Sequence, residues 1–342
     1  MRIVVVGATG AVGTEMLKIL EERDFGPHEV VPVASARSAG RKLDFADRQI
    51  EVVELGAAVF EGADLALLDV PDEVALQWAS IAAEAGAIVV DNSAAWRMNE
   101  QVPLVVPEVN PEDAQVRPLG IIASPNCTTL AMVVPLGALH AQVPLTRLIV
   151  ASYQAASGAG KPGVDELWDQ TERVVKEPEL ARDGLARDAI EGGDTFHHPI
   201  ALNVIPQAGS FKDGGYTSEE LKLCYESRKI LGTPDLPVTG TCVRVPVAVG
   251  HGVAVHAEFE RPITPDEARA ILAAAPGVEL RDDPAAKDYP TPLQAAGRDP
   301  CYVGRIRQDL FSDKALEMFC VADNLRKGAA LNTVQIAELL QH

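Results

Sequence analysis

Cys127 sits in Ser124-Pro125-Asn126-Cys127-Thr128-Thr129, after the apolar run 119–123 and before another at 130–134. That pattern predicts a strand, a sharp turn and the start of a helix. A thiol in the first helical turn meets backbone N–H groups that lack helical partners and the positive end of the macrodipole. Both favour the thiolate, which is the nucleophile. The plainer fate of a lone cysteine is burial as a small apolar side chain. A nucleophilic thiol also needs a group that moves protons near neutrality, and histidine is the usual companion. The chain holds seven histidines, and residue type and spacing leave open which of them would serve. N–H groups after Cys127 would also suit the oxyanion of a tetrahedral intermediate.

A second constellation opens the chain. Gly7-Ala8-Thr9-Gly10-Ala11-Val12-Gly13 follows the apolar run 3–6. Glycines there let the backbone turn tightly and approach a pyrophosphate, which rests on the N-terminus of the next helix. Gly7, Thr9, Gly10, Ala11 and Val12 are the expected contacts. A plain strand–helix turn would also fit the spacing. The end of the second strand selects between cofactors: a site for the unphosphorylated ribose carries an acid there. Here Ser35-Ala36-Arg37-Ser38 offers a guanidinium and two hydroxyls, which suit a 2′-phosphate and hence NADP(H).

The elements that must position these groups alternate through the first third of the chain. Strands are expected at 3–6, 30–34, 65–68, 88–90 and 121–123, with helices at 14–23 and 73–85. That order implies a doubly wound parallel sheet of Rossmann type. Beyond about residue 145 the rhythm becomes α+β. Strands are expected at 148–153, 241–249 and 253–259, and helices at 163–176, 218–231 and 265–274. Residues 281–300 read as a long loop and 325–340 as a last amphipathic helix. The domains expected are 1–127, completed by 323–342, for the nucleotide, and 128–322 for substrate and dimerisation.

Composition narrows the partners. The formal net charge is −19 without a Lys/Arg cluster, so neither nucleic acid nor an anionic membrane is an expected partner. Five cysteines without a Cys-x-x-Cys fit a reducing, cytoplasmic setting and no metal site. No apolar run is long enough for a membrane span, and the opening shows no charged leader of a targeting segment.

Several further blocks extend the pattern in order along the chain: Asp91-Asn92-Ser93-Ala94-Ala95-Trp96-Arg97, Ser152-Tyr153-Gln154-Ala155-Ala156-Ser157-Gly158, Glu219-Glu220-Leu221-Lys222, Arg244-Val245-Pro246-Val247, Gly250-His251 and Asp323-Asn324-Leu325-Arg326-Lys327-Gly328. With the glycine loop and the Asn-Cys-Thr-Thr block, the sequence resembles the aspartate-semialdehyde dehydrogenases. The resemblance implies NADPH-dependent reductive dephosphorylation of L-aspartyl 4-phosphate in lysine/diaminopimelate, threonine, methionine and isoleucine biosynthesis. It implies Cys127 as nucleophile, His251 as acid/base and Gln154 as the residue orienting substrate. Arg244 would hold the α-carboxylate, Glu219 the α-ammonium, and Arg97 and Lys222 the phosphate, with Asn126 also at the substrate. Ser157, Gly158 and Asn324 would line the cofactor. A homodimer is implied, with a tetramer as the alternative; a broad second-domain sheet that needs its outer face covered agrees.

Some residues depart from the family pattern. Gly252 replaces a common Ser and would loosen the His251 loop. Asp69-Val70-Pro71-Asp72-Glu73 replaces a small-residue turn, so its carboxylates must point away from a pyrophosphate, cap the next helix or alter cofactor affinity. His197-His198 is also unexpected. Three other readings compete: N-acetyl-γ-glutamyl-phosphate reductase, which also uses a Cys thioester; a short-chain dehydrogenase, through Tyr225-x-x-x-Lys229; and a catalytically silent NADP-binding paralogue.

Overall fold

The structure is a computed structural model describing residues 1–23, 29–182 and 189–341. The last residue of the expected 323–342 segment lies outside the described residues. The chain divides into two compact units. The first comprises Met1–Gly137, Tyr225–Pro234 and Leu325–His342; the second comprises Ala138–Cys224 and Asp235–Asn324.

The first unit is built on a six-stranded parallel sheet. Its strands are β1 (Arg2–Val6), β2 (Glu29–Ala34), β5 (Val53–Glu54), β6 (Leu65–Leu68), β7 (Ile88–Asp91) and β8 (Ile121–Ala123). A short hairpin, β3 (Lys42–Phe45) with β4 (Arg48–Glu51), stands apart from it. The order is β5-β2-β1-β6-β7-β8. Ile3, Val4, Val5 and Val6 are all fully buried, as a central parallel strand covered on both faces requires. Strand order reverses at β1, which pairs with both β2 and β6, so the turn after β1 lies at the switch point where doubly wound sheets bind ligands. Helices α1 (Ala11–Glu22), α2 (Asp72–Glu84) and α3 (Cys127–Gln142) follow β1, β6 and β8.

The expected single C-terminal helix is instead a π-turn over Arg326–Ala330 leading into an α-helix, Leu331–Glu338. Two buried cations occupy that turn. Arg326 pairs with Glu15 and Glu22 of α1, and its hydrogen bond to Glu22 holds that carboxyl below the usual carboxylate range. Lys327 donates to Glu108 at 2.6 Å, Gln335 at 2.7 Å and Asn332 at 3.0 Å. Asn332 in turn donates to the Ser124 hydroxyl and the Val105 carbonyl, tying the C-terminal helix to the turn that leads to Cys127.

The second unit carries a mixed sheet of β9 (Leu145–Gln154), β10 (Val238–Arg244), β11 (His251–Phe259), β12 (Val278–Leu280), β13 (Cys301–Gln308) and β14 (Ala315–Ala322). Its order is β10-β9-β11-β14-β13-β12. The strand expected to run to Val249 stops at Arg244, just before Val245 and Pro246, because proline has no N–H for the ladder. Strands β13 and β14 were not expected. Alternate positions of β9 are exposed, among them Ile149 and Tyr153, so one face of the sheet is apolar in part and uncovered in the single chain. Helices α4 (Gly160–Lys176), α5 (Ser218–Ile230) and α6 (Pro265–Ala273) complete the unit, except that the last part of α5 belongs to the first.

Lys327 is 1% exposed, and its loss would leave the Glu108 carboxylate buried without its ion partner. Lys327→Met is expected to cost about 3 kcal/mol, read as a lower urea midpoint. A second change, Glu108→Leu, should recover part of that loss by removing the orphaned charge.

Candidate active site

The glycine loop is stitched to the end of β2, where the N–H groups of Gly7 and Ala8 both donate to the Val33 carbonyl. Gly7 has φ of +90°, and a side chain there would run into the Asp69 carbonyl; one on Gly13 would strike the Gly7 carbonyl. Only glycine allows this close strand–helix approach. Gly10 caps α1 without a side-chain hydrogen bond, and the first turn, beginning Ala11-Val12, holds no acid. Ser35 and the short helix Ala36–Ser38 follow β2 directly, and the Thr9 hydroxyl reaches the Ser38 hydroxyl at 3.5 Å. Arg37 is exposed on that short helix, and the glycine turn with the Thr9 and Ser38 hydroxyls fits a dinucleotide.

The Asp69–Glu73 turn is settled within this unit. Asp69 accepts from the Asn92 amide at 2.9 Å, and Asp72 accepts from the Ala94 N–H at 2.9 Å. The cap of α2 is Pro71, so Asp72 is not the helix cap. Asp69 does not point away from the glycine loop: one of its oxygens lies 4.0 Å from where a Gly10 side chain would begin. Burial pushes its carboxyl above the usual range, against the hydrogen bond from Asn92. Asp91, fully buried and bonded to Ser93, is pushed up to about 6 by the same cause.

Cys127 is the first residue of α3 and is partly exposed. Asn126 accepts from the N–H groups of Thr128 at 2.9 Å and Thr129 at 3.3 Å through its amide oxygen. Those two N–H groups, expected to serve an oxyanion, are therefore taken by the Asn126 cap. The first turn of the helix itself contains no acid, although the Glu226 carboxylate accepts from the Asn126 N–H at 2.7 Å just before it. Arg97, buried, donates from Nη2 to the Asn92 carbonyl and from Nη1 to Glu226.

The second unit gathers the other expected residues. Gln154, at the end of β9, donates to Glu219 Oε2 at 3.3 Å, and Lys222 donates to Glu219 Oε1 at 2.6 Å. Glu219 and Lys222 do form an i,i+3 pair, but Glu219 is buried, so this is not a solvated surface pair. Arg244, at the end of β10, donates to the Ala155 carbonyl. It also lines a cavity of ≈ 460 Å³ with Asp194, Thr195, His197 and Gln207, which gives the unexpected His197 a place.

His251, at the start of β11, is fully buried, and its Nδ1 accepts from the Ala155 N–H at 3.0 Å. The neutral ring therefore carries its proton on Nε2. Burial, aided by the Arg244 charge and opposed by Glu219, pushes the imidazolium down to about 3. Gly158 lies against both residues. A Cβ there would collide with Arg244 Nη1 and come within 3.1 Å of His251 Nε2. Ser157 and Asn324 hydrogen-bond to each other, and Asn324 also accepts from the Gly250 N–H, bracing the residue before His251. Gly252 is paired on both sides within the sheet, and the Phe319 ring fills the space of a side chain, so the strand is not loosened there.

Comparison with known proteins shows the family. The family models "Semialdehyde dehydrogenase, NAD binding domain" and "Semialdehyde dehydrogenase, dimerisation domain" match residues 2–116 and 136–327. The aspartate-semialdehyde dehydrogenase of Streptomyces akiyoshiensis is 52% identical, over 99% of this chain and 98% of its own. The chain belongs to the aspartate-semialdehyde dehydrogenase family. In three dimensions it is similar to aspartate semialdehyde dehydrogenase II of Vibrio cholerae complexed with ASA, with TM-score 0.92 and 41% identity over 99% of this chain and 97% of that one. It is also similar to the Candida albicans enzyme solved with NADP, with TM-score 0.74 and 26% identity over 99% and 98%.

Against that family background, the Tyr225-x-x-x-Lys229 pattern has a structural explanation. Lys229 spends its ammonium on the carbonyls of Arg97, Asn99 and Val102, and burial lowers its pKa. Sequence reasoning gave that lysine no other role and overlooked Glu226. The available signal was spacing: 219, 222, 226 and 229 recur at intervals of three and four along one helix.

Two outcomes are expected. In nitrogen-labelled histidine spectra, the His251 ring should keep its Nε2–H form between about pH 5 and 8, while an ordinary midpoint near 6.5 would contradict the buried neutral state. Its folded pKa lies below the unfolded one. Its contribution to stability is thus complete above 6.5 and lost as pH falls towards 3. Gly158→Ala should lower kcat/KM roughly 100-fold by displacing Arg244 and His251, with the thermal midpoint nearly unchanged.

Proposed function

We propose that this protein catalyses the reversible, NADPH-dependent reductive dephosphorylation of L-aspartyl 4-phosphate to L-aspartate 4-semialdehyde through a thioester on Cys127. The observation that carries the reading is Cys127 at the start of a capped helix with no acid in its first turn. A place in the first helical turn is the kind that favours a thiolate. Family membership and the Vibrio cholerae complex support the substrate, and the Arg37 region supports NADP.

In this reading the Cys127 sulfur attacks the acyl carbon and phosphate departs, leaving a thioester. Bound NADPH supplies the hydride. Arg97 and Lys222 hold the phosphoryl group, Arg244 the α-carboxylate, Glu219 the α-ammonium, and Gln154 orients the acyl group. Asn126 both caps the nucleophile's helix and contacts substrate. Asn324 holds the nicotinamide end, and Ser157 and Gly158 line the cofactor. His251 handles protons through Nε2. As a neutral donor it stabilises the oxyanion that collapses to aldehyde. As a base it must first give up the Ala155 N–H and move its proton to Nδ1. The apolar part of the β9 face, in a chain matching a dimerisation domain, supports a homodimer. Free cysteines support a cytoplasmic setting, and the product fits lysine/diaminopimelate, threonine, methionine and isoleucine biosynthesis.

Purified protein given L-aspartate semialdehyde, inorganic phosphate and NADP is expected to reduce NADP only when phosphate is present. Cys127→Ala should abolish that reduction without unfolding. Folded wild type that fails with both NADP and NAD would overturn the proposal.

A further inference from the structure

Glu226 is 1% exposed and lies in Tyr225–Pro234, the stretch of α5 and its exit that belongs to the first unit. Its two carboxylate oxygens serve different partners. Oε1 accepts from Arg97 Nη1 at 3.0 Å, and Oε2 accepts from the Asn126 backbone N–H at 2.7 Å. One turn further along the helix, Lys229 donates to the Arg97 carbonyl as well as to those of Asn99 and Val102. A single helical turn thus grips Arg97 at its guanidinium and at its backbone, and also holds the residue before Cys127.

A buried carboxylate is costly unless both oxygens are engaged by charge or strong donors. Glu226 meets that requirement with one guanidinium and one peptide N–H. The bond from Arg97 Nη2 to the Asn92 carbonyl constrains one end of the guanidinium. A second anchor at Glu226 fixes its plane, and plane is what selects a phosphate oxygen pair. Because the same carboxylate bonds Asn126, it also sets how far that plane stands from the nucleophile's turn.

We infer that Glu226 is a positioning residue for the reaction, registering the phosphate-binding Arg97 against the Asn126-Cys127 turn. It acts through those groups and not on substrate, and the inference rests on the role proposed above for Arg97. A merely structural acid, serving only to seat the helix, would affect stability and leave the phosphate and semialdehyde constants in their usual ratio.

The test is a double-variant cycle in the NADP-reducing direction, with phosphate and semialdehyde varied separately. Glu226→Gln keeps the shape but can no longer accept with charge at both ends. It is expected to raise KM for phosphate roughly tenfold and leave KM for semialdehyde within about twofold. In an Arg97→Ala background the same change should move the phosphate KM less than about twofold, because the two residues act as one unit. A phosphate KM unchanged in Glu226→Gln, equal rises in both constants, or changes that multiply in the double variant would each overturn the inference. Should Glu226→Gln not fold, Glu226→Asp takes its place in the cycle. Its shorter arm cannot span both partners, so a phosphate-selective rise coupled to Arg97 is again expected, and a KM within about twofold of wild type would overturn the inference. A wild type without phosphate-dependent turnover would remove the Arg97 role and this inference with it. An active wild type with an indifferent Glu226 variant sinks the inference alone.

Discussion

The turn from β8 into α3 has to satisfy its buried polar groups while leaving a thiol accessible, and much of the first unit is arranged around that need. The Asn126 side chain caps the helix, Glu226 takes the Asn126 N–H, and Asn332 takes the Ser124 hydroxyl. Each partner comes from a different part of the chain. In a low-dielectric setting an unpaired N–H or hydroxyl would cost more than any one of these bonds gains, so the partners specify a single geometry. The dipole of α3 then acts on a sulfur whose place is fixed.

Charge is handled pair by pair. The chain carries −19 overall, yet each candidate anion-binding cation among the buried residues has a defined neighbour. Arg97 has Glu226, and Lys222, less buried, has Glu219. Arg244 is held by a backbone carbonyl. These contacts aim the cations rather than merely cancel them. The Asp69 carboxyl, close to the glycine loop, is bonded by the Asn92 amide, and burial raises its pKa. His251 is kept neutral by burial, with the Arg244 charge adding to it.

The legible features were those governed by local chemistry. Four consecutive β-branched residues before a glycine loop mean a central parallel strand whatever surrounds them. The glycine turn after that strand reads directly as a nucleotide-binding turn. Asn126 and Cys127 announce a helix start by type and order. Less legible were β13 and β14, because Cys301–Gln308 and Ala315–Ala322 follow a Pro- and Asp-rich stretch and owe their pairing to β11. The π-turn at Arg326–Ala330 was equally hidden, since it accommodates ion partners distant in sequence.

The sequence by itself determined the fold class and the family and nominated residues for the proposed chemistry, because side-chain type, helix capping and strand periodicity act over a few residues. Tertiary structure alone decided the states of those residues. It put Ala155's N–H on His251, Asn126's amide oxygen on the N–H groups of the nucleophile's helix, and Glu226 against Arg97. Protonation, tautomer and guanidinium plane depend on burial and on partners up to 129 residues away. Electrostatics and desolvation act through space, so no local pattern records them.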